Sequence, residues 1–168
     1  MNKIITKYYK SPAGEMLLGS YGGELVFCDW QKRKARPSFE KRILNFLKCE
    51  CIEGESKAIK AAIKQFDEYF AGKRKSFALP LLFIGTEFQK KVWSELQKIP
   101  YGDTISYKQL AERTGNIKAV RAVANSNRVN AFSIIVPCHR VIGSNGKLTG
   151  YAGGLDIKQF LLDLEKNI

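Results

Sequence analysis

The sequence predicts an α/β amino-terminal domain, a small antiparallel sheet with helices, followed by a mostly α carboxy-terminal domain with a helix-turn-helix. Three observations predict it. Short β-rich runs separated by turn residues fill the first 30 positions. Helix-capping sequences dominate after Thr86. Between the two lies Leu79-Pro80-Leu81-Leu82-Phe83-Ile84-Gly85, a partly apolar connector without periodicity. The domains are expected at residues 1–83 and 84–168.

Residues 4–10, 16–20 and 25–30 read as three strands of a meander, divided by Ser11-Pro12-Ala13-Gly14 and Tyr21-Gly22-Gly23. After Ser38, one helical face collects Phe39, Ile43, Phe46 and Leu47. A second helix begins at Ser56, aligns Ile59, Ala62, Ile63, Phe66 and Phe70, and stops at Gly72.

Thr86-Glu87-Phe88-Gln89 is a capping box, and the helix it opens turns Phe88, Val92 and Leu96 inward. Ser106-Tyr107-Lys108-Gln109 is another, whose helix ends at Thr114-Gly115 before Asn116 caps the next. Helix, short glycine turn, helix is the spacing of a helix-turn-helix. In its second helix Ala119, Val120 and Val123 can face the core. Lys118, Arg121, Asn125 and Arg128 fall on one stripe, while Ala119, Ala122 and Ala124 keep the helix slim. Such a stripe is either a solvated face or a DNA face.

Past Asn130, the β-branched run Ile134-Ile135-Val136 suits a strand buried on both faces. Pro137 ends it and leaves Cys138 at its tip, followed by His139, the one histidine of the chain. A cysteine attacks as a thiolate, so it needs a base or a positive charge nearby, and His139 and Arg140 are both at hand. Sequence neighbours point apart, so Cys138 and His139 communicate through a tight turn or, as we favour, through a water. Gly143-Ser144-Asn145-Gly146 and Gly150-Tyr151-Ala152-Gly153-Gly154 form glycine-rich turns suited to close over a pocket. The last helix starts at Asp156 and packs Ile157, Phe160, Leu161 and Leu164 inward. Glu165 lies beside that stripe and needs a partner, either His139 or a surface lysine.

The chain of 168 residues is 45% hydrophobic and carries a formal charge of +12, spread almost evenly over both halves. That balance fits a globular protein that meets a polyanion, most often nucleic acid. The runs Lys32-Arg33-Lys34-Ala35-Arg36 and Lys73-Arg74-Lys75 read as solvated loops. No apolar run approaches the ~20 residues that span a bilayer, and the first residues do not form a signal peptide; a cytoplasmic protein with no membrane partner is expected. Four cysteines in that setting are reduced thiols, and Cys49-Glu50-Cys51 is too tight for a zinc loop, so no metal is expected.

These residues resemble one family, the methylated-DNA protein-cysteine methyltransferases or 6-O-methylguanine-DNA methyltransferases. The resemblance rests on Pro137-Cys138-His139-Arg140-Val141, Ser106-Tyr107-Lys108-Gln109-Leu110, Arg121-Ala122-Val123, Asn130 and Gly150-Tyr151-Ala152-Gly153-Gly154-Leu155, all in the family order. It implies a monomer without organic cofactor that acts on double-stranded DNA containing alkylated guanine. Cys138 would take the alkyl group from O6 and keep it. Cys138, His139, Glu165, Tyr107 and Asn130 would be its catalytic set, with Tyr107 supplying a proton to the departing guanine. Val141, Tyr151, Ala152 and Gly153 would line the base pocket. Lys118, Arg121, Ala122, Asn125, Arg128 and Arg140 would meet DNA, Arg121 filling the gap left by a flipped nucleotide. Ala131 stands where the family commonly has proline, and Ala152 where some members have serine, which leaves only the backbone amide there to contact O6.

Two other classes compete. Alkyltransferase-like binding proteins lack the reactive cysteine, which Cys138 argues against. A cysteine hydrolase would need an oxyanion hole, and none is legible.

Overall fold

A computed structural model describes residues 2–33 and 36–167, apart from the side chains of residues 36–39. The chain divides into two compact units, residues 1–84 and 85–168.

In the first unit, β1 (Lys3–Ser11), β2 (Gly14–Tyr21) and β3 (Glu24–Trp30) form the expected antiparallel meander. Gly19 sits where an added Cβ would lie 2.5 Å from the Phe27 ring, so the aromatic side chain occupies the space that a larger residue would need. The sheet is mixed rather than purely antiparallel. After α1 (Arg36–Leu47), the short β4 (Glu50–Glu53) joins the open edge parallel to β1, giving the order β3-β2-β1-β4. Its four residues are exposed, so it carries no hydrophobic alternation to announce it. The connector adds to the other edge, where Leu25 donates to Pro80 O at 2.9 Å and Leu82 donates to Leu25 O at 2.8 Å.

α2 (Lys57–Phe70) packs on β1, β2 and β3, and its N-cap is Ser56, whose side chain accepts from Ile59 N. Burying Ile59, Phe66 and Tyr69 contributes about 1.5–3 kcal/mol each. The inward residue of the last turn is Tyr69, with Phe70 only half-buried, because the stripe drifts by one position along a straight helix. In α1, Ile43 is buried but Phe46 is 68% exposed, so the expected apolar face is shorter than its spacing implied. Ser38 and Phe39 lie outside the described side chains. Arg33 is no solvated loop residue: its guanidinium is buried 3.1 Å from Asp29. Lys34, Ala35 and the Arg36 side chain of that run are also outside the described set.

The second unit begins with α3 (Glu87–Gln97), opened by the Thr86–Gln89 capping box. Val92, Trp93 and Leu96 are its buried residues, and Phe88 is only half-buried. Trp93 was the missing core residue, and its indole donates to Ser126 O at 2.9 Å. β5 (Ile105–Ser106) leads into α4 (Tyr107–Arg113) through the Ser106–Gln109 capping box. α5 (Val120–Arg128) packs on α3 and α4, completing the helix-turn-helix. Asn116 does not cap α5; its Oδ1 accepts from Lys118 N and shapes the turn before it. Val120 is exposed, while Val123, Ser126 and Asn127 face inward. Among the described residues no helix is long and apolar enough to cross a membrane.

The candidate active site and nucleic-acid interface

The apolar run before Cys138 is buried as expected but is not a strand. Residues 131–136 form a succession of turns, and Ile134 adopts a φ of +71°, a backbone conformation β-branched residues rarely take. Asn130 organises the path. Its Oδ1 accepts from Phe132 N at 2.9 Å, and its Nδ2 donates to Val136 O at 2.9 Å and Phe132 O at 3.4 Å. Val136 N closes onto Phe132 O at 3.0 Å, and Cys138 N onto Val136 O at 2.8 Å. A fully satisfied buried side chain therefore replaces the ladder hydrogen bonds of a strand. Pro137 then precedes a single 3-10 turn, Cys138–Arg140, followed by β6 (Val141–Ile142), which pairs parallel with β5.

This turn sends consecutive side chains in different directions. His139 and Arg140 reach Glu165 of α6 (Leu155–Lys166). His139 Nε2 lies 2.7 Å from Glu165 Oε1; Arg140 Nε donates to Oε2 and Nη2 to Oε1, both at 2.9 Å. Arg140 Nη1 donates to Ile99 O at 2.7 Å, and its guanidinium stands 5.6 Å from the Tyr101 ring centroid. Gly102 N adds a longer bond of 3.4 Å to Glu165 Oε2. Gly102 has a φ of +85°, and an added Cβ would approach Glu165 O to 3.3 Å, so glycine suits both its conformation and its neighbour.

Burial alone would raise the Glu165 carboxyl, but the hydrogen bond from His139 and the hydrogen bonds and charge of Arg140 hold it below the usual carboxylate range. Burial lowers His139, the hydrogen bond and charge of Glu165 partly offset that, and Arg140 and Lys158 push it down further. The pair is therefore a neutral imidazole on an ionised carboxylate. An ionised carboxylate only accepts, so Nε2 carries the proton and Nδ1 keeps a free lone pair. Nδ1 is buried and has no hydrogen-bond partner among the described residues.

Around Cys138, Tyr107 opens α4, half-buried, its phenol raised by burial, lowered by a side-chain hydrogen bond with Thr149 and raised by the charge of Cys138. Tyr151, Ala152 and Gly153 are half-buried in the turn before α6. Val141 N donates to Cys138 O within the 3-10 turn, and Val141 O accepts from Lys158 Nζ at 2.6 Å. Lys118, Arg121, Ala122, Asn125 and Arg128 are all exposed along α5 and the turn before it.

Arg140 requires a correction. It is buried and committed to Glu165 and Ile99, so it belongs to the site's interior and not to a DNA-contacting face. α6 also differs from its expected face: Phe160 is exposed, and Lys158, Leu161, Leu162 and Glu165 are buried. Sequence reasoning missed Lys158 although it precedes Glu165 by seven residues, the spacing of one helix face. Among the described residues no group of three or more His, Cys, Asp or Glu could hold a metal ion.

Fold and site together define a two-unit protein whose helical unit joins a helix-turn-helix to a cysteine beside a buried histidine–glutamate–arginine cluster. The family model for the 6-O-methylguanine DNA methyltransferase DNA binding domain matches residues 87–167, and that for the ribonuclease-like domain of the same family matches residues 4–83. The chain belongs to the 6-O-methylguanine DNA methyltransferase family. It is 47% identical over 158 residues to the methylated-DNA--protein-cysteine methyltransferase of Methanosarcina barkeri, covering 94% of each chain. It is 53% identical over 113 residues to the constitutive Bacillus subtilis protein of that name, covering 67% of this chain and 68% of the relative. The crystal structure of Mycobacterium tuberculosis OGT in complex with DNA is similar at a TM-score of 0.82 and 38% identity, covering 98% of this chain and 92% of that one.

Proposed function

We propose that this chain repairs double-stranded DNA by moving the alkyl group from O6 of guanine onto its own Cys138, once and irreversibly. The observation that carries the reading is the buried His139–Glu165 pair, with Nδ1 left as an acceptor and His139 on the same single turn as Cys138. His139 Nδ1 takes the thiol proton through a water, and Glu165 stabilises the imidazolium that results. The Cys138 thiolate then attacks the alkyl carbon in line. As the S–C bond forms, the C–O6 bond breaks and its electron pair stays on the guanine. Tyr107 delivers a proton to ring nitrogen N3, which makes guanine a better leaving group.

The base reaches Cys138 by leaving the helix through the minor groove, with α5 lying in that groove. Arg121 takes the vacated place in the stack, while Lys118, Asn125 and Arg128 meet the backbone and the slim Ala122 position admits close approach. Unstacking costs a few kcal/mol, less for a weakened alkylguanine pair, so damage partly selects itself. Backbone groups at Cys138 and Val141 read the guanine edge, and the Ala152 amide meets O6. With alanine at position 152 no side-chain hydroxyl assists there.

Intact mass before and after incubation with duplex DNA containing 6-O-methylguanine tests this reading. One methyl group per chain, mapped to Cys138, is expected, and Cys138→Ala should abolish transfer while leaving DNA binding largely intact. Several turnovers per chain, or a methyl group on Cys28, Cys49 or Cys51, would exclude it.

A further inference from the structure

Lys158 is the largest fully buried charged side chain of the second unit, and its position on α6 is accounted for neither by helix packing nor by the chemistry above. Its ammonium uses all three donors on main-chain carbonyls: Val141 O at 2.6 Å, Thr149 O at 2.9 Å and, more weakly, Gly150 O at 3.5 Å. Val141 immediately follows the turn that carries Cys138, whereas Thr149 and Gly150 lie at the far end of the glycine-rich loop that leads to Tyr151 and Ala152. One cation therefore ties the strand that follows the nucleophile's turn to the pocket loop. The same loop residue, Thr149, hydrogen-bonds through its side chain to Tyr107, whose ring centroid is 6.0 Å from Lys158 Nζ.

A lysine buried without a carboxylate is costly, and carbonyl dipoles offset only part of that cost. Burial accordingly pushes the Lys158 ammonium down to about 8, and the negative charge of Cys138 acts the other way. That coupling is reciprocal: a charge that Cys138 favours also favours the Cys138 thiolate. Three titratable groups share this space: Cys138 from the 3-10 turn, Tyr107 from α4 and His139, which Lys158 lowers.

We propose that Lys158 is a positioning residue of the alkyl-transfer site, clamping the loop of residues 143–154 onto β6 and supplying, at neutral pH, a positive charge that favours the Cys138 thiolate. This inference rests on Cys138 being the alkyl acceptor. It assigns the lysine two separable effects, one of geometry and one of charge, and the two leave different traces. Loss of the clamp slows transfer equally at every pH. Loss of the charge slows it most where the thiol is protonated, by about tenfold for each unit that the thiol pKa rises.

The test compares Lys158→Met, which keeps the apolar stem, with Lys158→Arg, which keeps the charge. The rate of Cys138 methylation by duplex 6-O-methylguanine is followed from neutral to alkaline pH, with amide exchange over residues 143–154. Lys158→Met should be at least about tenfold slower at neutral pH, recover towards alkaline pH, and exchange faster in the loop. Lys158→Arg, whose guanidinium does not titrate in this range, should follow the wild-type profile around neutral pH whatever its rate. A uniform loss across pH in Lys158→Met, or unchanged loop exchange, overturns the corresponding half of the proposal. Should Lys158→Met not fold, the arginine variant decides: a profile displaced to higher pH despite the retained charge overturns the charge role. A wild-type chain that is not methylated at Cys138 refutes the proposed function itself, which separates that failure from this one.

Discussion

Arg140 and Glu165 form a buried two-bond ion pair, Nε to Oε2 and Nη2 to Oε1 at 2.9 Å each, and the same Oε1 lies 2.7 Å from His139 Nε2. One carboxylate thus faces a permanent cation and a neutral imidazole. The guanidinium keeps Glu165 ionised, and the ionised carboxylate fixes the imidazole tautomer. A site residue adjacent to the cysteine in sequence therefore acts on it from the far side of a glutamate.

Glu165→Gln should slow Cys138 methylation by about 10–100-fold, the scale of losing a carboxylate that orients a functional histidine. Without that carboxylate, His139 falls further below its ordinary value and becomes a weaker base, so the rate should recover as pH rises. The rate of Cys138 alkylation against pH is the measurement, and an unchanged profile would reduce Glu165 to a structural carboxylate.

Arg140→Met should cost about 3–5 kcal/mol of stability, because it leaves the Glu165 carboxylate buried without its guanidinium. Urea denaturation of Arg140→Met beside the wild-type chain checks this. The double variant Arg140→Met with Glu165→Gln should lose less than the sum of the single losses, since neither charge is then left stranded.

Acid should destabilise the second unit from two groups acting in the same direction. Glu165 is depressed in the fold, so its contribution is fully present above the ordinary glutamate value of about 4.3 and is lost as pH falls through the lower folded value. His139 is also depressed, chiefly by burial, so the unfolded chain takes that proton first and stability declines once pH drops below about 6.5. The thermal midpoint should therefore fall on mild acidification. A midpoint that rises over that window would show that the imidazolium is the buried form.

Asn130→Ala removes three hydrogen bonds from the turn before Cys138 and leaves Phe132 N and Val136 O without that partner. About 1–3 kcal/mol is expected for each buried group left unsatisfied. Transfer should slow even where the variant is folded, because the path of residues 131–137 sets where Cys138 stands. Denaturation midpoints together with single-turnover rates separate the two effects; stability lost with an unaltered rate would confine Asn130 to folding.

Arg121→Ala should slow repair of duplex DNA far more than reaction with free 6-O-benzylguanine, since only the duplex must be unstacked. Arg128→Ala, if it removes one phosphate contact, should weaken binding to damaged and undamaged duplex alike and lower the salt slope by about 1. Equal losses by Arg121→Ala on duplex and free base would remove the flipping role from α5.

The sequence by itself determined the local elements whose signals are local. The capping boxes at Thr86 and Ser106 and the N-cap at Ser56 are satisfied within three residues of themselves, so they were legible without any tertiary knowledge. The meander was legible because its turns and apolar runs alternate at short range. The family motif named Cys138 and His139, and Glu165 stood out because a carboxylate beside an apolar stripe needs a partner. Only the tertiary structure decided what lacked a local signal. β4 is held by backbone pairing to β1 over nearly 50 residues of separation, with no buried side chain to mark it. The run Ile134-Ile135-Val136 has strand composition, yet Asn130 supplies the hydrogen bonds of a compact turn, and burial from all sides satisfies β-branched residues equally well in either conformation. Sequence reasoning assigns Arg140 to DNA and passes over Lys158, because most such residues are solvated. Each is buried only because a folded partner, the Glu165 carboxylate for one and three converging carbonyls for the other, meets its donors, and no sequence spacing records that convergence.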